Sequence, residues 1–162
     1  MSTAAEVLER IFGLTVVMAD AMAEDLARRG LTRARATLIS RLHASGPVTQ
    51  RVLADDLRVS PRNVTDLVNA LETDGFVART PHPTDGRAFL VTLTTEGRQA
   101  AESLADDHQR LARFLFAGFP AADRAHFATL LDELLQRLDD PAFDKLRRAG
   151  IARWPLRVDR SR

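Results

Sequence analysis

Polar side chains that can hydrogen-bond to DNA bases are concentrated on one short segment, residues 60–74. Ser60 and Pro61 form a helix start signal, because the hydroxyl can cap a helix and proline suits its first position. Apolar residues repeat from Val64 at helical spacing, so one face should be buried and the other exposed. The residues on the exposed face carry guanidinium, amide, hydroxyl and carboxylate groups, which can hydrogen-bond to base edges in the major groove. These residues are Arg62, Asn63, Thr65, Asp66 and Asn69.

A second candidate contact lies in the loop of residues 81–87, which is rich in turn formers and charge and should be exposed. Arg87 suits a phosphate or the narrow minor groove, and we expect Asp85 to hold it in position. The alternative is a solvated pair of turn residues. The loop therefore offers a cationic contact separate from the polar helix face.

Two further candidates also have structural alternatives. Arg79 could reach the DNA backbone from a strand edge, or it could form a salt bridge with Asp74 or Glu72. Ser60 is chiefly a helix cap, although a helix N-terminus that points at a phosphate would also contribute to binding.

The elements around these residues predict how they are positioned. Residues 49–57 should form a short helix, residues 58–59 the turn into the polar helix, and residues 76–80 and 88–93 two strands. Two helices joined by a tight turn and followed by a hairpin with a charged tip predict a winged helix-turn-helix. The predicted inward residues are Ala34, Leu38, Ile39 and Leu42, then Val52, Leu53 and Leu57, then Val64, Leu67, Val68 and Leu71, and finally Phe89, Val91 and Leu93.

Three motifs make this chain similar to the MarR family of bacterial transcriptional regulators. Leu71-Glu-Thr-Asp-Gly75-Phe-Val-Ala-Arg79 matches the family's Leu-Glu-x-x-Gly-Phe/Leu-Val-x-Arg, and Asp85-Gly86-Arg87 matches its Asp-x-Arg wing signature. Leu93-Thr-Thr-Glu-Gly97 matches the Leu-Thr-x-x-Gly that opens its next helix. The resemblance covers about residues 6–140. It implies a dimeric DNA-binding regulator.

Asp66 departs from the family pattern, in which a basic residue often occupies this position. A carboxylate facing a phosphate would repel it. Asp66 could instead pair with a nearby arginine or accept a hydrogen bond from a cytosine amino group.

Long helices flank the predicted DNA-binding lobe. Their apolar stripes are broader than one monomer can readily bury, which favours a homodimer with interlocking terminal helices. Twofold symmetry would place two recognition helices about 34 Å apart on a pseudo-palindromic site in double-stranded DNA. The predicted fold is therefore mainly α (α+β), a winged helix-turn-helix with a two-stranded wing between dimerisation helices. The predicted divisions are residues 1–31 and 99–140 for dimerisation, 32–98 for the DNA-binding lobe, and 141–162 for a basic tail.

The resemblance also implies a small anionic effector, such as a phenolic carboxylate, in a crevice between the dimerisation helices and the DNA-binding lobe. A histidine there could hydrogen-bond a carboxylate and titrate near neutral pH. The alternative is that these histidines, and the phenylalanine and methionines near them, belong to the core. The candidate effector-binding residues are Phe12, Met18, Met22, His43 and His108.

The remaining composition excludes several classes of protein. The chain has 162 residues, a net charge of +1 and no cysteine, so disulfides and cysteine-based redox sensing are excluded. It has neither a membrane-length apolar run nor a signal-peptide pattern, and we expect a cytoplasmic protein. No nucleotide-binding glycine loop, nucleophile elbow or metal-ligand spacing is present, so we expect no enzyme, cofactor or metal.

Two roles remain open at the level of sequence. The favoured function is a sequence-specific repressor that a small molecule releases from DNA, and the alternative is a winged-helix protein-interaction module that binds no DNA. The basic tail could be a loosely ordered surface segment. It could also be a phosphate-binding arm, or a clasp in which Trp154 packs on the partner subunit.

Overall fold

A computed structural model describes residues 2–150 of the chain. Trp154 and the end of the basic tail lie outside the described residues. The predicted mainly α fold is confirmed. The elements are α1 (Ala4–Arg28), α2 (Arg33–Ser45), β1 (Val48–Thr49), α3 (Gln50–Leu57), α4 (Pro61–Thr73), β2 (Val77–Pro81), β3 (Phe89–Leu93), α5 (Thr95–Leu115), α6 (Ala121–Leu138) and α7 (Pro141–Arg148).

The chain forms two compact units. One consists of residues 20–111, and the other combines residues 2–19 with residues 112–150. The predicted divisions after residues 31, 98 and 140 stay predictions. No helix among residues 2–150 is long and apolar enough to cross a membrane.

The hydrophobic core lies entirely in the unit of residues 20–111. Its apolar side chains come mostly from α2, α3, α4 and the strands, at the spacings expected of one buried helix face and one buried sheet face. Three predicted core positions are wrong, because Ala34, Val52 and Phe89 are exposed. Each lies at or near the start of its element. The largest fully buried side chains are Leu38, Ile39, Leu53, Val64, Val68, Leu71, Val77 and Val91.

The sheet has three strands, not the predicted two. Its order is β1-β3-β2, and both pairings are antiparallel, with Val91 opposite Val48 on one side and opposite Arg79 on the other. A two-residue strand after a proline shows no alternation along the sequence. Only the pairing with β3 reveals it.

The helix-turn-helix is closed by side-chain caps. Thr49 accepts a hydrogen bond from the Val52 amide at 3.4 Å, and Arg58 ends α3 in the left-handed region at φ 52°. The α5 helix opens in the same way, since Thr94 Oγ1 accepts from the Gly97 amide at 3.0 Å. Short capped helices of this kind fix where the polar face of α4 points.

The other unit contains no buried side chain among residues 2–19, 112–146 and 148–150. Its α6 has a continuous apolar face on which every large side chain is exposed. Near the start of α6 the ring of Phe116 contacts two others, with centroids 5.9 Å from that of Phe119 and 6.4 Å from that of Phe127. A helix that is this apolar needs a further surface to cover it.

Candidate nucleic-acid interface

The start of α4 is fixed by its cap and its core face. Ser60 Oγ accepts from the Asn63 amide at 3.2 Å, and Pro61 occupies the first turn. The fully buried Val64 and Val68 lock the rotation of the helix about its axis. The first turns of the opposite face are consequently directed to solvent.

Three predicted base-reading residues are on this exposed face. Arg62, Asn63 and Asp66 are all exposed. Within residues 2–150 their side chains make no hydrogen bond or ion pair, so Asp66 has no arginine partner there. Guanidinium, amide and carboxylate groups are therefore all available to an incoming ligand.

Three other predicted DNA contacts, Thr65, Asn69 and Arg79, form hydrogen bonds within the protein. With their partners they make up a set of side chains that we name the Arg79 cluster. Arg79 forms a salt bridge with Glu72, while Asp74 pairs with Arg35 at 2.7 Å. Of the two acids considered for Arg79, Glu72 is therefore its partner. The Arg79 cluster consists of Gln50, Thr65, Asn69, Glu72 and Arg79.

The tip of the wing, the β2–β3 hairpin, is an ordered turn. Asp85 Oδ1 accepts from the Arg87 amide at 3.0 Å, so Asp85 positions Arg87 through its backbone. His82 Nδ1 lies 3.3 Å from the Thr84 amide nitrogen and 3.2 Å from that of Asp85, and accepts from both. The Arg87 guanidinium is exposed and has no partner among the described residues.

Sequence reasoning missed two residues of this surface. Gln50 gives no local signal, because its contact with Arg79 spans 29 residues of chain and exists only after β2 has packed. His82 is the second, and a histidine at the start of a turn can accept backbone N–H groups. Both residues position others.

The candidate effector residues have differing exposure. Phe12 and Met18 are half-buried, whereas Met22, His43 and His108 are exposed, so neither histidine is a core residue. In the part of the chain that the structure describes, no three histidine or acidic side chains form a metal-binding group.

Two capped helices at a tight turn, a polar recognition face and a hairpin with an exposed arginine define a winged helix-turn-helix protein. The MarR family model matches residues 31–89. Over this segment the chain is therefore similar to the MarR family. The matched segment contains α2, the helix-turn-helix and the wing up to its returning strand.

Individual proteins are similar to the chain over longer segments. The chain is 27% identical over 138 residues to the repressor YetL of Bacillus subtilis, covering 82% of this chain and 81% of YetL. It is 39% identical over 94 residues to the transcriptional activatory protein BadR of Rhodopseudomonas palustris, covering 56% and 54% of the two chains. The structure of Streptococcus pneumoniae FabT in complex with DNA matches with a TM-score of 0.71 at 23% identity, over 84% of this chain and 95% of FabT.

Proposed function

We propose that this regulator is a homodimer that binds double-stranded DNA at a pseudo-palindromic site. The observation that carries the proposal is the unpaired, exposed set of Arg62, Asn63 and Asp66 on α4 beside the exposed Arg87 of the wing. The helix would read base edges in the major groove, and Arg87 would contact phosphate or the minor groove. The fold shared with the FabT–DNA complex supports this mode of docking.

The homodimer is supported by the unit that contains α6. No side chain of α6 is buried, and its leucines are exposed. Contact between such an apolar face and water is unfavourable. A second copy offers the same face, and twofold pairing of identical apolar faces covers both. Two recognition helices would then bind two half-sites one turn of DNA apart.

Repression is the proposed outcome of binding. The match to the repressor YetL extends over 82% of this chain, and the match to the activatory protein BadR over 56%. We propose that a small anionic aromatic ligand releases the DNA by binding one state of the dimer more tightly than the other. Its proposed contacts are Phe12, Met18, Met22, His43 and His108, of which both imidazoles are accessible to solvent.

A salt titration of DNA binding tests the proposal. The wild-type chain and Arg87→Ala are titrated against a fluorescent duplex from the chain's own promoter, and anisotropy is measured over a salt series. We expect wild-type affinity to fall steeply with salt, and Arg87→Ala to lose about 1–3 kcal/mol and about one unit of the salt slope. The control is Arg28→Ala, which removes the same charge from an exposed arginine at the end of α1.

The alternative function gives a different result. If the wild-type chain binds neither this duplex nor random DNA at low salt, the DNA-binding proposal fails. The exposed apolar surfaces would then be docking sites of a protein-interaction module, and its complexes would respond little to salt.

A further inference from the structure

The Arg79 guanidinium donates hydrogen bonds to other side chains of the protein. Nη1 donates to Glu72, Nη2 donates to Asn69 Oδ1 at 2.6 Å, and the Arg79 backbone N–H donates to Glu72 Oε1 at 3.2 Å. The side chain is only 24% exposed. Arg79 is therefore bonded to two positions of α4 that are three residues apart on one face.

The orientation of Gln50 completes the cluster. A guanidinium can only donate, so the Gln50 atom that faces it must be Oε1. In that orientation Oε1 accepts from Arg79 Nε and Nη2 at 3.1 Å, and the amide nitrogen donates to Thr65 Oγ1 at 3.0 Å. Thr65 in turn donates to the Pro61 carbonyl at 3.0 Å. Every polar side chain of the cluster has a partner.

This cluster joins three elements of the proposed DNA-binding surface. Gln50 begins α3, Asn69 and Glu72 lie on α4, and Arg79 lies on β2 at the base of the wing. Four of the five guanidinium N–H groups are used within the cluster, so a phosphate could bind most of the guanidinium only by breaking its bonds to Glu72 or Gln50. The half-buried acid and amide would then lose their partners, which is unfavourable.

From this geometry we propose that Arg79 is a positioning residue, which sets the angle between the wing and the recognition helix and makes no DNA contact itself. Thr65 and Asn69 then hold α4 in position, and Arg62, Asn63 and Asp66 are the residues that contact the bases. The test of this inference by DNA affinity rests on the proposed DNA-binding function. A second test, by the mobility of the wing, rests on the fold alone.

The salt slope separates a positioning arginine from a phosphate contact. We expect Arg79→Ala to bind the specific duplex about tenfold more weakly, with the wild-type salt slope, whereas each phosphate contact that is lost lowers the slope by about 0.9. Arg79→Lys should not restore affinity, because an ammonium cannot span three acceptors. A slope reduced by about one unit, as for Arg87→Ala, would overturn the proposal. So would wild-type affinity in Arg79→Ala.

The substitution Glu72→Gln should change DNA affinity in opposite directions for the two possible roles of Arg79, phosphate contact and positioning residue. If Arg79 contacted phosphate, removing its acidic partner would free it and strengthen binding. If Arg79 positions the wing, Glu72→Gln weakens binding, and the double variant with Arg79→Ala is no weaker than the worse single variant. The matched control is Arg35→Ala, since Arg35 is 25% exposed and is paired with an acid at the end of α4.

A measurement of wing mobility without DNA tests the positioning role of Arg79 independently of the proposed DNA-binding function. The chain has no cysteine, so Gly86→Cys, at a position with open space around it, gives a single nitroxide attachment site on the wing tip. We expect Arg79→Ala and Glu72→Gln to increase the mobility of this label, and Arg35→Ala to leave it unchanged. Unchanged mobility in both cluster variants would overturn the proposal, whether or not the wild-type chain binds DNA.

Discussion

Asp66 places a negative charge on the surface that we propose approaches DNA. It is exposed, and it has no hydrogen-bond or salt-bridge partner in the described part of the chain. An acid in that position repels the phosphates of any DNA, whatever its base sequence, but it can accept a hydrogen bond from the amino group of one cytosine. Asp66 should therefore reduce binding to random DNA while it favours particular sites.

The substitution Asp66→Asn tests this balance. We expect binding to random duplex to become tighter, because a repulsive charge is lost. Discrimination at one C·G pair of the specific site should fall by about 1–3 kcal/mol. Anisotropy against a panel of single-base-pair variants measures both effects. Asp106→Asn on α5 removes an equal, exposed charge as the control, and parallel changes in the two variants would contradict a role in base reading.

Among the elements, the junction between the wing and α5 depends on one glycine. Gly97 is buried in the first turn of α5, and a Cβ at this position would overlap the carbonyl oxygen of Phe76 just before β2. That oxygen also accepts from the Thr94 amide at 3.1 Å. The close approach of two backbones explains why the Leu-Thr-x-x-Gly motif needs glycine here.

We expect Gly97→Ala to lower the free energy of unfolding by about 1–3 kcal/mol, since the backbone must shift to relieve the overlap. Urea denaturation followed by circular dichroism measures it. Gly13→Ala is the matched control, because nothing lies within 4 Å of its Cβ, and it should raise helix stability by about 0.5–1 kcal/mol. Equal effects of the two substitutions would show that the α5 junction tolerates a side chain.

At the scale of the whole molecule, assembly and DNA binding should depend on the same helix. Leu135 on α6 is 59% exposed in the single chain, and it shares its face with Leu131 and Leu138. A charge at that position would be buried in the proposed dimer, where it is strongly unfavourable without a partner.

Leu135→Glu should therefore convert the dimer to a monomer of about 17.9 kDa, as measured by light scattering at increasing protein concentration. Its affinity for a two-half-site duplex should fall, because only one recognition helix is then engaged. Gln136→Glu introduces the same charge at the adjacent polar position and should remain dimeric. A monomeric wild-type chain would contradict the proposed assembly.

The sequence by itself determined what is local and periodic. The start of α4 followed from Ser60 and Pro61, and its buried face from the apolar spacing. The elements of the winged helix-turn-helix were predicted because helix periodicity and caps act within a few residues of chain. The exposed positions of Arg62, Asn63 and Arg87 followed from the same patterns.

Only the tertiary structure decided which polar residues satisfy one another. The partners of Arg79 lie up to 29 positions away, and its side chain could equally have faced solvent by sequence alone. The two-residue β1 likewise exists only because β3 passes beside it, and the exposure of Val52 and Phe89 depends on which surfaces the packed elements cover. Hydrogen bonds between distant residues depend on geometry that packing creates, and no local pattern encodes that geometry.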